Sequence, residues 1–337
     1  MIDPIKTAYN RGGASEVVLG TWRTFALEFY SSRIKSVFGE HGLQWYTWMR
    51  ELESRRYVSS LVSRGIGKDI ANVNLDDYKS SDTIFILGSG ASINKISDEG
   101  WKHIAEHDSF GLNKWPLHDF VPTYYMFELP PGPENQEYRD WYWELLTHKN
   151  DSYSEIPVIL KDISPDTYYD LESTPVPDWL SDDLILAPSI KIPMGKEQLD
   201  SEFENIDRLG YFNTENDIRY LYQSNASIIL LILLAVKLGY ESIVLCGVDL
   251  NHSKYFFDGK QELYSERNTP YPDFLTNRDR NPDDPHKTAD ETEKQVTVDE
   301  LVYSINRTVL QPRGISLYTE NKESKLYPEV PHYNLDE

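Results

Sequence analysis

SIILLILLAVKLGYESIVLCGVDLN, residues 227–251, opens with the longest strictly apolar run of the chain, IILLILLAV at 228–236. Nine residues are too few to span a bilayer, which takes about 20, so the run reads as a buried core helix. Gly239 ends that helix, a two-residue link follows, and 243–246 reads as a strand with Gly247 and Asp249 at its carboxyl end. Ligands of open α/β sheets collect beyond the carboxyl ends of strands. Asp249 therefore stands where a ribose or sugar hydroxyl could bind, although a turn or helix-cap aspartate would occupy the same position.

A second strand-and-turn unit lies upstream. TIFIL at 83–87 reads as a short buried strand that runs into GSGAS at 88–92, and Ser97 is a plausible N-cap with Asp98 and Glu99 in the first turn of the next helix. Glycines at the end of a strand let a ligand approach the backbone, and free N–H groups there suit a phosphate or nucleotide. The loop is neither a GxGxxG fingerprint, because Ile93 replaces the third glycine, nor a Walker A loop. Further β-prone runs at 109–112, 121–127, 156–160 and 184–186 alternate with helical stretches such as DWYWELL at 140–146. This alternation predicts an α/β fold with a mainly parallel sheet and helices on both faces.

Residues 1–80 read as a helical extension. Val18, Trp22, Phe25 and Phe29 repeat at helical spacing, as do Trp45, Trp48, Met49 and Leu52, and GEHG at 39–42 would separate two amphipathic helices. Residues 81–337 then form the main domain. Within it, 251–290 is crowded with Asn, Asp, Pro and Gly, and so long an irregular connection predicts a lid over a site.

The chain has 337 residues, with 33 Lys and Arg against 55 Asp and Glu, a formal net charge of −22. Nucleic acid is therefore not an expected partner, because phosphate binding relies on clustered basic residues. Cys246 is the single cysteine, which rules out an internal disulfide and a multi-cysteine zinc site and points to a reducing, cytoplasmic compartment. MIDPIKTAYNRGG lacks the layout of a signal peptide. HIAEH at 103–107 matches the H-x-x-E-H zinc pattern and places two histidines on one helix face, but it has no companion carboxylate motif downstream, so no metal is expected. His286, in NPDDPHKTAD just after the presumed lid and before a helix expected near Glu291, is suited to general-base work or is an ordinary loop histidine.

In order, GSGASI (88–93), SFGLNKW (109–115), AVKLGYESIVLCGVDL (235–250) and DPHKTAD (284–290) resemble the bacterial sialyltransferases of glycosyltransferase family 42 and the related flagellin-glycosylation domain family. The resemblance covers roughly residues 83–327. It implies a Rossmann-like, GT-A-like variant fold and an inverting transferase that moves an acidic keto-sugar, a sialic acid-like nonulosonic acid or Kdo, from a CMP-sugar to a glycan hydroxyl. It further implies that Gly88, Ser89, Gly90, Ala91, Ser92 and Asn113 hold the cytidine nucleotide, with Asp249 near the ribose. His286 would be the general base and Tyr255, beside Phe256 and Phe257, a donor to the departing phosphate; an aromatic packing role is the alternative for Tyr255. Glu128, Ser227 and Asn251 complete the expected substrate-binding set. No cofactor and no metal are implied. Ser89, Ala91 and Asn251 depart from the family's usual asparagine, proline and tyrosine. The alternatives are a non-catalytic nucleotide- or glycan-binding protein of the same fold and a magnesium-dependent pyrophosphokinase of the broader domain family. The extension would shape the acceptor site, build a homo-oligomer interface or contact a membrane-associated acceptor at the inner membrane.

Overall fold

The computed structural model describes residues 41–130, 132–163, 176–191, 195–213, 218–224, 226–275, 281–292 and 294–336. The helix expected over Val18 to Phe29 lies outside them. The described strands are β1 (Lys68–Asp69), β2 (Thr83–Leu87), β3 (Asp108–Leu112), β4 (Tyr124–Phe127), β5 (Val158–Ile163), β6 (Ile185–Lys191), β7 (Leu221–Gln223), β8 (Ser242–Cys246) and β9 (Ser316–Thr319). They form one sheet in the order β1-β6-β5-β4-β3-β2-β8-β9, with β7 also on β6, and every strand pair is parallel.

The period of two in a strand explains why both faces are covered. Ile84 and Ile86 of β2 are buried on one face with the helices Leu199–Arg208, Ser227–Lys237 and Val298–Ile305. Phe85 and Leu87 are buried on the other, with Ile104 of Asp98–Ala105 and Leu145 of Gln136–His148. A sheet buried on both sides is the Rossmann-like α/β architecture that near-continuous apolar strands require. From Ile228 to Val236 the helix Ser227–Lys237 is buried on all sides, which accounts for its lack of a polar face. Among the described residues no helix is long and apolar enough to cross a membrane.

Three expectations change. The segment before Ser80 is not wholly helical, because Lys68 and Asp69 pair with Ile185 and Leu186 of β6. Its helix, His41–Ser63, does not bury the stripe expected from spacing: Trp48 and Leu52 are 51% and 47% exposed, while Thr47, Arg50, Ser54, Val58 and Leu61 face inward. Thr47 Oγ1 meets the buried Tyr222 hydroxyl at 3.0 Å, so a polar contact at the edge of the sheet helps set the helix register. Finally, the helix expected near Glu291 begins at Val298, where the Glu300 carboxylate reaches back to accept from Thr297 N–H at 3.1 Å.

Candidate active site

The carboxyl ends of the central strands open into one cleft of about 760 Å³, within the usual range for small-molecule sites. Gly88, Ser89 and Gly90 follow β2, Asn113 follows β3, Glu128 follows β4, and Gly247 to Leu250 follow β8; Ser227 lines the cleft from the first turn of its helix. Tyr255, Phe257 and His286 line it too, with Tyr255 beside the glycine loop. Nine residues predicted from separate parts of the chain thus meet around one space. Ala91, Ser92 and Asn251 do not line it. Asn251 instead donates through Nδ2 to the Glu323 carbonyl at 2.7 Å.

The glycine loop owes its composition to contact with the neighbouring strand end. Gly88 N–H donates to Cys246 O at 2.7 Å and Gly90 N–H to Gly247 O at 2.8 Å. A β-carbon on Gly90 would lie 2.5 Å from Asp249 Oδ2 and 2.7 Å from Gly247 O. Asp249 is buried, accepting from Ser92 N–H at 3.1 Å and, through its other oxygen, from Asn321 Nδ2 at 2.9 Å. The N–H groups of Gly88, Gly90 and Ser92, expected to face a ligand, are therefore turned to β8 and its exit, and Asp249 acts first as a clamp on the loop.

Asn113 sits at φ 50°, in the left-handed region that asparagine tolerates. Its carbonyl is fixed by the hydroxyls of Tyr125 and Tyr142, both at 2.5 Å, and its Oδ1 is sealed from solvent with no hydrogen-bond partner. A buried amide oxygen left unpaired is costly. Turned toward the cleft that Asn113 lines, this amide would gain the partner it lacks.

Next to Tyr255, His286 is held from both ring nitrogens. Nε2 is 3.2 Å from the Tyr255 hydroxyl and Nδ1 is 2.8 Å from Thr288 Oγ1. Its backbone N–H donates at 3.0 Å to the carbonyl of Leu250, a residue at φ 64°. A left-handed leucine costs about 1 kcal/mol or more, and such strain concentrates at functional sites. Tyr255 stacks on Phe257 with centroids 5.1 Å apart, and Lys114 lies over the Phe257 and Tyr138 rings at 5.9 and 5.6 Å.

The segment expected as an irregular lid is a wall built on buried aromatics. Phe256 N–H donates to Ser89 O at 3.0 Å, Tyr255 bridges to Gly90, and Phe256, Phe257 and Tyr264 join the core beneath the Gln136–His148 helix. Composition pointed to a loop; the aromatic anchors supply the burial that fixes it. HIAEH has a structural role as well. The two imidazoles pack edge-on against Phe85, His103 Nε2 meets the Tyr333 hydroxyl at 2.9 Å, and among the described residues no group of three His, Cys, Asp or Glu could hold a metal.

Tyr138, Lys191 and Gln223 line the cleft from outside any motif, and Lys114, Lys287 and Thr288 line it from within SFGLNKW and DPHKTAD without having been singled out. Thr288 had one signal, its position two residues after His286.

Behind the glycine loop, Glu320 follows β9 with Oε2 sealed and unpaired. Burial, reinforced by the Asp249 charge and opposed by hydrogen bonding with Ser92 and Gly247 and by Lys95, pushes its carboxyl from 4.5 up to about 7. Between those values the folded chain keeps a proton that the unfolded chain loses, so this group's contribution to stability falls as pH rises and levels off above 7. Glu320→Gln removes the loss. Relative to wild type it is expected to gain on the order of 2–3 kcal/mol at pH 8 and little at pH 4.5; urea unfolding at both values measures the difference.

No protein-family model matches the chain, and no curated protein matches it. Among solved structures the chain is similar to the monofunctional α-2,3-sialyltransferase Cst-I from Campylobacter jejuni, with 18% identity and a TM-score of 0.41 over 77% of this chain and 83% of that one. It is also similar to the sialyltransferase CstII from Campylobacter jejuni in complex with a substrate analogue, cytidine-5′-monophosphate, with 15% identity and a TM-score of 0.41 over 75% and 86%.

Proposed function

We propose that the chain is an inverting, metal-independent glycosyltransferase that moves an acidic keto-sugar from a CMP-sugar to a glycan hydroxyl. The observation that carries this reading is the pairing of His286, braced by Thr288, with Tyr255 in the same cleft as the glycine loop and Asn113. Nδ1 faces both the Thr288 N–H at 3.4 Å and Thr288 Oγ1 at 2.8 Å; in the tautomer that gives its proton to Oγ1, Nε2 would take the proton of an acceptor hydroxyl. The acceptor oxygen then bonds to the anomeric carbon as the carbon–phosphate oxygen bond breaks on the opposite face, and CMP leaves. Charge develops on that phosphate. Tyr255, released from Nε2 when the acceptor arrives, would donate its hydroxyl to it. Asn113, its amide turned toward the cleft, would accept from the cytosine amine, and the opening turn of the Ser227–Lys237 helix presents N–H groups and positive dipole to an anion.

The test is CMP binding by calorimetry together with CMP release from a panel of CMP-activated keto-acids, with and without glycan acceptors and with EDTA present. Release that requires a donor of this class supports the reading; absence of CMP binding removes it. Tyr255→Phe is expected to lower kcat by about 10- to 100-fold with CMP affinity nearly kept, because the lost hydroxyl matters most as charge reaches the phosphate. A nucleotide-binding protein without turnover is the second reading, favoured by Asn251 facing away from the cleft; it predicts CMP binding with no release from any donor.

A further inference from the structure

The far end of the cleft holds a pair of charges that the proposed reaction leaves without a role. Glu128 stands at the exit of β4, two strands from the glycine loop, or roughly 10 Å at the usual strand spacing. Beneath it Lys161 of β5 donates to Glu128 Oε2. The pair is lopsided: the lysine side chain is 0% exposed and the glutamate 41%. Sealing a lysine inside a domain is costly, and a buried ion pair adds little net stability over a well-packed apolar pair. Its effect here is on the carboxylate. Burial acts against the charge, but Lys161 outweighs it, aided by Lys191 and Lys287, and the carboxyl is held below its ordinary range. Glu128 Oε1 has no hydrogen-bond partner among the described residues, and Glu128 lines the cleft.

A carboxylate kept ionised, fixed at one oxygen and open at the other, can only accept hydrogen bonds. It fits a ligand rich in hydroxyl donors, and its own oxygens offer no direct contact to an anionic group. The donor in the reading above carries a phosphate and a carboxylate, so an ionised glutamate is poorly placed to hold it. We infer that Glu128, oriented by Lys161, is the specificity-determining contact for the acceptor, its Oε1 receiving ring hydroxyls of a neutral sugar. This rests on the proposed transfer reaction for its role, but the subsite itself is a property of the pair.

The experiment uses the full chain, wild type and Glu128→Gln, with the double variant Glu128→Gln/Lys161→Met to remove both charges together should the single variant fail to fold. Hydrogen bonds to a charged group contribute about 1.5–3 kcal/mol, so acceptor KM is expected to rise about 10- to 100-fold while donor KM moves less than twofold. An unchanged acceptor KM, or a rise confined to donor KM, overturns the inference. Saturation-transfer NMR with a panel of neutral methyl hexopyranosides supplies an independent reading, with transfer expected to wild type and lost in Glu128→Gln. Should wild type neither bind CMP nor release it, Glu128-dependent transfer from a glycoside would keep the subsite while the proposed reaction falls. Transfer to no glycoside, or equal transfer to both proteins, overturns the subsite.

Discussion

His286→Ala is expected to lower kcat for sugar transfer by about 100- to 10,000-fold, the range that a positioned general base contributes. In the proposed reading the nucleotide is held by the glycine loop and Asn113 and not by the imidazole, so CMP affinity should hold while transfer fails. The local structure should also survive, because the backbone N–H that pins residue 286 to Leu250 O is kept by alanine. Thr288→Val removes the hydroxyl that braces Nδ1 at 2.8 Å without removing the base, and a smaller loss of about tenfold follows. Steady-state kinetics with CMP calorimetry separate these outcomes. A His286→Ala enzyme within tenfold of wild type would exclude the imidazole as the base.

Gly88→Ala should be a severely damaging single methyl. Its β-carbon would lie 2.5 Å from Gly247 O and 3.1 Å from Cys246 O, and both are backbone atoms that cannot swing aside. Relief requires parting β2 from β8 where Gly88 N–H meets Cys246 O, in the middle of the sheet. A loss above about 4 kcal/mol, or failure to fold, is expected. Gly259→Ala is the control. Nothing lies within 4 Å of its added carbon, and only φ +71° opposes the change, so about 1–2 kcal/mol is expected. Equal losses for the two variants in urea unfolding would refute the close-approach account of the loop.

The elements carrying the site were legible because their signals are local. TIFIL and SIVLC are apolar runs bounded by glycine, and the 227–237 helix is defined by apolar composition alone. The strands that escaped are short or at the sheet's margin: Lys68–Asp69 has two residues, one of them exposed, Leu221–Gln223 has three, and Ser316–Thr319 forms the other edge. Their strand character comes from the partner that accepts their hydrogen bonds. For the same reason Trp48 and Leu52 misled: helical spacing shows that a stripe exists but not which side of the helix meets the sheet.

The chain by itself determined an α/β sheet with helices on both faces, and it placed Gly88, Asn113, Asp249, Tyr255 and His286 at turns where side chains can reach a ligand. Only the tertiary structure decided what those groups are free to do. The N–H groups of Gly88 and Gly90 are taken by carbonyls some 160 residues away in sequence, Asp249 is turned onto the loop it was expected to complement, and Lys161 is sealed beneath Glu128 because β5 lies beside β4. Propensity and periodicity are properties of neighbours along the chain. Hydrogen-bond satisfaction and the charge state of a carboxylate depend on neighbours across the sheet, and strand order alone supplies those.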